Sequence, residues 1–211
     1  MKRYFITGIG TNVGKTIVSA ILTEALKADY WKPVQTGLSE GADKTAVASL
    51  VSNTETVFFK EAYAFEAPAS PHIAADAEGR AIDMKNIQLP ASKNGHLIIE
   101  GAGGLLVPLN NKEYVIDLAR QFDAEIILVC RNYLGCINHS LLSINYLKQH
   151  GFKIKGIVLN GDFEPLVISA IMNDAGIPLL AQIAEIKNIS KESIRECADQ
   201  LNNNHDTPGK R

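Results

Sequence analysis

Between the apolar run Tyr4–Thr7 and a helical pattern opening at Lys15 lies Gly8-Ile9-Gly10-Thr11-Asn12-Val13-Gly14-Lys15-Thr16. Glycines let a backbone curl until successive N–H groups point inward at phosphate oxygens. A helix starting there adds the positive end of its dipole. Lys15 is then placed to reach the β- and γ-phosphates of a nucleotide, and the Thr16 hydroxyl to ligate Mg²⁺. Gly8, Gly10, Asn12, Val13 and Gly14 form the rest of this cradle. Five residues separate Gly8 from Gly14, one more than the common phosphate-loop spacing. The plainer reading is a glycine-rich turn that happens to hold Lys-Thr. The strand before it and the helix after it favour phosphate binding.

A phosphate loop needs a carboxylate from another strand to help hold Mg²⁺. Leu97-Ile98-Ile99-Glu100 ends an apolar run in an acid, and Gly101-Ala102-Gly103-Gly104 follows. At the end of a buried parallel strand, Glu100 emerges at the sheet's C-terminal edge, where open α/β folds bind ligands. Gly103 leaves space beside it for a nucleotide. The alternative, a solvated loop glutamate, fits the flanking glycines less well. Asp43 opens a helix in Gly41-Ala42-Asp43-Lys44 and suits a first-turn acid and a metal ligand equally. Lys32 is a charge inside Tyr30-Trp31-Lys32-Pro33-Val34. It must snorkel, pair or face the ligand edge of the sheet, and beside the loop it reads as a second phosphate-facing cation.

These residues need a scaffold that brings strand ends together. Short runs rich in Ile, Leu and Val at Tyr4–Thr7, Tyr30–Pro33, His96–Glu100, Glu125–Cys130, Lys155–Asn160 and Pro178–Ile183 predict strands. Between them, Lys15–Ala28, Asp43–Ser52, Tyr114–Phe122, Ile137–Gly151 and Leu166–Ala175 predict helices, with a last one near Ser190–Leu201. Continuous rather than alternating apolar strands, each followed by a helix, predict an α/β fold: one P-loop NTPase-type domain over residues 1–201, with a mostly parallel sheet covered by helices on both faces. Residues 202–211 read as a flexible tail, and residues 53–95 as the least regular stretch.

The chain has 211 residues, with 21 Lys+Arg against 23 Asp+Glu. That balance argues against a nucleic-acid-binding face, and no apolar run approaches a membrane span. Its three cysteines form no CxxC, and the N-terminus shows no signal-peptide pattern, so a cytoplasmic protein is expected. Cys197 shares the apolar face of the last helix and reads as a packed thiol. His96, His139, His150 and His205 lack metal-ligand spacing and read as structural or solvent-facing. No Ser-His-Asp or cysteine–base arrangement is evident, which suits phosphoryl transfer, a chemistry that asks for positioning and charge rather than a protein nucleophile.

Collinear motifs resemble the dethiobiotin synthetase family. They are Tyr4-Phe5-Ile6-Thr7-Gly8 through Val13-Gly14-Lys15-Thr16, and Lys32-Pro33-Val34-x-Thr36-Gly37. Pro68-x-Ser70-Pro71-His72, Glu100-Gly101-Ala102-Gly103-Gly104 and Leu134-Gly135-Cys136-Ile137-Asn138-His139 follow in order. The resemblance implies a ligase of biotin biosynthesis that joins 7,8-diaminononanoate and CO₂ (or bicarbonate) at the expense of ATP. A carbamate forms, is phosphorylated to a carbamic–phosphoric anhydride, and is closed to a cyclic urea by the second amine. It further implies Lys32 as stabiliser of the carbamate and moving phosphoryl group, Thr36 near the substrate amine, and Thr11 at substrate or phosphates. Thr16, Asp43 and Glu100 become the Mg²⁺ shell, and Asn160 matches an adenine-contacting asparagine. Gly135, Cys136, Ile137 and Asn138 would reach the substrate carboxylate across a homodimer interface, with Cys136 packing there. His72 reads as a hydrogen-bonded structural histidine.

Two departures matter, the first for the electrostatic hold on the diamine and the second, in the region that contacts adenine in relatives, for base selectivity. Asn12 stands where the family usually has an acid, and Ala184 follows Ile183 where relatives have proline. Weak discrimination between ATP and GTP is the expectation. The competing class is a partner-regulated ATPase switch with a deviant phosphate loop. Such proteins carry an extra lysine early in that loop, and residues 8–14 here contain none. A related amidotransferase would need a glutamine-hydrolysing domain that 211 residues do not accommodate.

Overall fold

The structure is a computed structural model and describes residues 1–205. Its first half runs β1 (Lys2–Gly8), α1 (Lys15–Leu26), β2 (Asp29–Trp31), β3 (Val34–Gln35), α2 (Asp43–Leu50), β4 (Tyr63–Ala64), α3 (Pro71–Ala77) and β5 (His96–Gly104). The second half runs α4 (Asp117–Gln121), β6 (Glu125–Arg131), α5 (Cys136–Gln149), β7 (Ile154–Asn160), α6 (Pro165–Ala175), β8 (Leu179–Ile183) and α7 (Lys191–His205). Six strands form one sheet in the order β2-β5-β1-β6-β7-β8, parallel throughout. These are the six predicted runs. β3 and β4 pair as a separate short parallel ribbon.

Side chains alternate across each strand, so one sheet makes two cores. One face carries Phe5, Trp31, Leu97, Ile99, Ile126 and Leu128 against α3, α4, α5 and α6. The other carries Tyr4, Ile6, Tyr30, Ile98, Ile127 and Val129 against α1, α2 and α7. The predicted layering therefore holds. Ile194, Ala198 and Leu201 bury the inner side of α7, and half-buried Cys197 packs with them. This helix continues to His205, four residues past the expected Leu201 end, so residues 202–205 are helical rather than tail. Residues 206–211 of the expected tail lie outside the described residues.

The strand register sets up the functional edge. Ile6 lies opposite Glu100, and Gly8 lies opposite both Gly104 and Val129. The phosphate loop, the acid-bearing strand end and the end of β6 thus leave the sheet together at its C-terminal edge. α1 begins directly after Gly14, whose left-handed φ of +90° turns the loop into the helix. Among the described residues, no helix is long and apolar enough to cross a membrane.

Candidate active site

A cavity of about 1090 Å³ opens at this edge. Among the predicted residues it brings together Thr11, Asn12, Gly14, Lys15, Thr16 and Lys32. Thr36, Asp43, Glu100 and Gly103 complete its wall. Gly8, Gly10 and Val13 shape the loop without lining this cavity: the Gly10 carbonyl accepts a hydrogen bond from Lys15 Nζ at 3.2 Å, and the Val13 carbonyl accepts one from Asn160 Nδ2 at 2.9 Å. Asn160, at the end of β7, is therefore tied to the phosphate loop. Gly135, Cys136, Ile137 and Asn138 do not reach the cavity within one chain; they form the start of α5, with Gly135 as its left-handed N-cap.

The acids and cations interlock. The Thr16 hydroxyl sits 2.6 Å from Asp43 Oδ1 and 3.0 Å from Glu100 Oε1. Lys32 Nζ pairs with Asp43 and lies 3.3 Å from Glu100 Oε1. Asp43, which spacing left between helix acid and metal ligand, thus points into the site from the first turn of α2. Burial works against the charge on Lys32, but Glu100 and Asp43 outweigh it and lift its pKa above the ordinary lysine value. Burial likewise opposes the Asp43 carboxylate, and Lys32 with the surrounding donors overcomes it, so the Asp43 pKa is lowered. Lys15 is different. Burial drives its pKa down to about 8; Glu100 and Asp43 oppose this, and the charge on Lys32 adds to it.

Two residues that sequence reasoning passed over hold the acids in place. Tyr30 donates from its hydroxyl to Glu100 Oε2 at 2.9 Å, and Gln35 Oε1 accepts from the Asp43 backbone N–H at 3.1 Å. Gln35 also donates to the Thr36 carbonyl at 2.7 Å. Both are buried polar residues within apolar or very short strands, where a single sequence offers no polar signal. A purely structural histidine was expected at His72 with a hydrogen bond. Its Nδ1 is instead buried without a hydrogen-bond partner among the described residues. His139 meets the Tyr133 hydroxyl at 2.8 Å, and His150 stacks on Tyr146. Cys136 is 3% exposed, and burial raises the Cys130 thiol to about 12, so Cys130 presents no activated thiolate.

Among the described residues no three His, Cys, Asp or Glu side chains converge as a metal cluster. Two carboxylates and one hydroxyl do converge at the phosphate loop. An all-oxygen set supplying few protein ligands, and leaving the others to water and phosphate, fits a hard cation such as Mg²⁺ better than a metal that favours nitrogen or sulfur ligands. The arrangement can grip a nucleoside triphosphate, neutralise a transferring phosphoryl group and hold an anionic acceptor beside Lys32.

Gly14 gives this geometry a direct test. A Cβ built there would lie 2.0 Å from Asn160 Nδ2, on a backbone with φ of +90°. Gly14→Ala is expected to cost about 1–3 kcal/mol of stability from the left-handed strain alone. Nucleotide binding should weaken with it, since the loop must part from β7. Thermal denaturation and titration with a fluorescent nucleotide check this; unchanged affinity would show that the Asn160 tether is dispensable.

A family profile described as an AAA domain matches residues 2–193. The chain is 49% identical to the ATP-dependent dethiobiotin synthetase of Christiangramia forsetii, covering 95% of this chain and 96% of the relative. It is 48% identical to the synthetase of that name from Cytophaga hutchinsonii, covering 97% and 98%. Among solved structures, the septum site-determining protein MinD of Pyrococcus horikoshii superposes with a TM-score of 0.55 at 17% identity, covering 100% of this chain and 99% of that one. A ParA family ATPase from Chlorobium tepidum superposes with a TM-score of 0.55 at 15% identity, covering 98% and 93%. Identities this low speak for the fold alone.

Proposed function

The chain belongs to the ATP-dependent dethiobiotin synthetase family, and we propose that it is a cyclo-ligase converting 7,8-diaminononanoate, CO₂ and ATP to dethiobiotin, ADP and phosphate. The observation that carries this reading is the convergence of Lys15, Lys32, Thr16, Asp43 and Glu100 on one cavity wall, with Thr36 beside them. The wall supplies positioning and charge, which phosphoryl transfer requires.

In this reading one substrate amine adds to CO₂ and loses a proton, giving a carbamate that Lys32 holds. A carbamate oxygen attacks the γ-phosphorus, ADP departs, and Lys15 and the loop N–H groups follow the developing charge. The second amine then attacks the carbamoyl carbon and gives up a proton to the departing phosphate as the C–O bond to phosphate breaks, and the cyclic urea and inorganic phosphate are the products. Thr11 and Thr36 orient the acceptor. Thr16, Asp43 and Glu100 would hold Mg²⁺, which when bound neutralises phosphate charge. The proposed setting is cytoplasmic. Phosphate release from Mg·ATP that requires both the diamine and bicarbonate, with a product of cyclic-urea mass, tests the reaction. Release indifferent to the diamine would sink it.

A homodimer completes the reading. An apolar groove of about 300 Å³ borders Gly8 and Ile9 and is walled by Leu106, Leu142 and Tyr146. Leu142 is 61% exposed, and Leu134, just before Gly135–Asn138, is fully exposed. A second copy covering this face would bring the start of α5 towards a neighbouring cavity. Leu142→Asp is expected to weaken self-association by about 2 kcal/mol or more and to lower activity with it. Light scattering against concentration checks the first, and a fully dimeric variant would discard this interface.

Base selectivity is proposed to be weak. The Asn160 amide is engaged with Val13, and Ala184 replaces the relatives' proline. ATP and GTP should give comparable kcat/KM; a preference of about a thousandfold would contradict it.

A further inference from the structure

Glu100 uses its two oxygens differently. Oε1 faces Thr16 and Lys32, while among the described residues Oε2 accepts only the Tyr30 hydroxyl, at 2.9 Å. Tyr30 is fully buried, in a core face made otherwise of aliphatic side chains and aromatic rings. A phenol hydroxyl in such a place needs a partner, and Glu100 is the one it has. The sheet register explains the meeting. Tyr30 lies opposite Ile98, two residues before Glu100 on β5, so both side chains project from the same face and the ring spans the diagonal.

The ring's anchor is also fixed from both sides. β2 pairs with β5 along one edge. Along the other, the Tyr30 N–H donates to the Val57 carbonyl at 3.0 Å, and the Tyr30 carbonyl accepts from Phe59 at 2.9 Å. The hydroxyl is thus a rigid point at the inner end of Glu100. From this geometry we infer that Tyr30 is a positioning residue that locks the Glu100 carboxylate so that Oε1 faces the divalent cation of the phosphate loop. The inference rests on the reading of Thr16, Asp43 and Glu100 as the Mg²⁺ shell. It adds a residue, Tyr30, that does not line the cavity.

Tyr30→Phe removes one oxygen and keeps the buried ring, so the core is filled as before. The test is direct binding of a non-hydrolysable ATP analogue, once with Mg²⁺ and once with EDTA, to the full-length protein and the variant. Groups that orient a metal ligand typically change metal affinity tenfold or more. The expected result is a roughly tenfold loss confined to the Mg²⁺-dependent gain in affinity, with binding in EDTA unchanged. Equal losses with and without Mg²⁺ would mean general loosening of the loop and would overturn the inference. So would a variant indistinguishable from the parent. If the parent protein itself gained nothing from Mg²⁺, the three-oxygen metal reading would fall, and this inference with it.

Discussion

Lys32→Met is expected to be the most damaging single substitution in the site, for stability and activity together. Lys32 is 6% exposed and is the counter-charge to Asp43 and to Glu100, itself 1% exposed. Removing one member of a buried charge network typically costs 3–5 kcal/mol, because the partners stay buried and unpaired. Glu100 would keep only hydroxyl donors, from Tyr30 and Thr16. A divalent cation could stand in for the lost charge, so Mg²⁺ should raise the melting temperature of the variant more than that of the parent. Activity should fall by roughly 10²–10³ even where the fold survives, the usual loss when one group aimed at developing negative charge is removed. Lys32→Arg should not restore it, since a planar fork cannot occupy a point-charge site between two carboxylates. Calorimetric melting with and without Mg²⁺, beside turnover, checks all three. A variant as stable as the parent would show that the two acids do not depend on Lys32.

The stability that Lys32 and Asp43 contribute has a defined pH range. The Lys32 pKa is raised on folding, so its contribution is complete below the unfolded lysine value and is lost only as pH rises through the folded one. The Asp43 pKa is lowered, so its contribution is present above the ordinary carboxylate value and is lost as pH falls through the folded one. Neither contribution changes across neutral pH.

What the sequence reveals of this molecule follows from pattern length. The strands β1, β5, β6 and β7 span at least seven residues and bury consecutive apolar side chains, as in Tyr4-Phe5-Ile6 and Ile126-Ile127-Leu128-Val129, so they are legible as a parallel sheet. The loop at Gly8–Thr16 is legible because strand, glycines, lysine and helix are adjacent in the chain. The ribbon of β3 and β4 is not, because two-residue strands carry no periodicity. α3 lies in the stretch 53–95 that reads as irregular; Pro71 at its first turn marks the start, but seven residues show too little amphipathic pattern. Tyr30 and Gln35 are opaque for another reason. Their roles come from register and from a loop return that places Asp43 against Gln35, both properties of the assembled fold. Asp43 itself was undecided between cap and ligand by spacing, and only its approach to Thr16 and Lys32 gives it a place in the site.

Lys15→Met is expected to slow phosphoryl transfer while stabilising the nucleotide-free protein. Lys15 is 7% exposed, accepts no carboxylate as a direct partner among the described contacts, and donates only to the Gly10 carbonyl at 3.2 Å. Its folded pKa, lowered to about 8 chiefly by burial, lies below the value of an unfolded lysine. Between those two values the unfolded chain binds more protons than the folded one, so stability rises with pH there. Below pH 8 the fold carries a buried ammonium at a disadvantage of roughly 3 kcal/mol, taking about 1.4 kcal/mol per pKa unit. A methionine of similar length removes that disadvantage. The variant should therefore melt above the parent at neutral pH, with the gain shrinking as pH climbs through the alkaline range and vanishing once both lysine forms are neutral. The same shift predicts that nucleotide binding takes up a proton when pH exceeds about 8, because the phosphates restore the charge. Titration calorimetry in buffers of different ionisation heat would register this uptake, and Lys15→Met should lose it. Turnover should drop by at least about 10², since the γ-phosphoryl group loses a cation aimed at its developing charge. A variant less stable than the parent at neutral pH would mean that the loop carbonyl alone compensates the buried charge, and that Lys15 is not held at a disadvantage for the sake of phosphate.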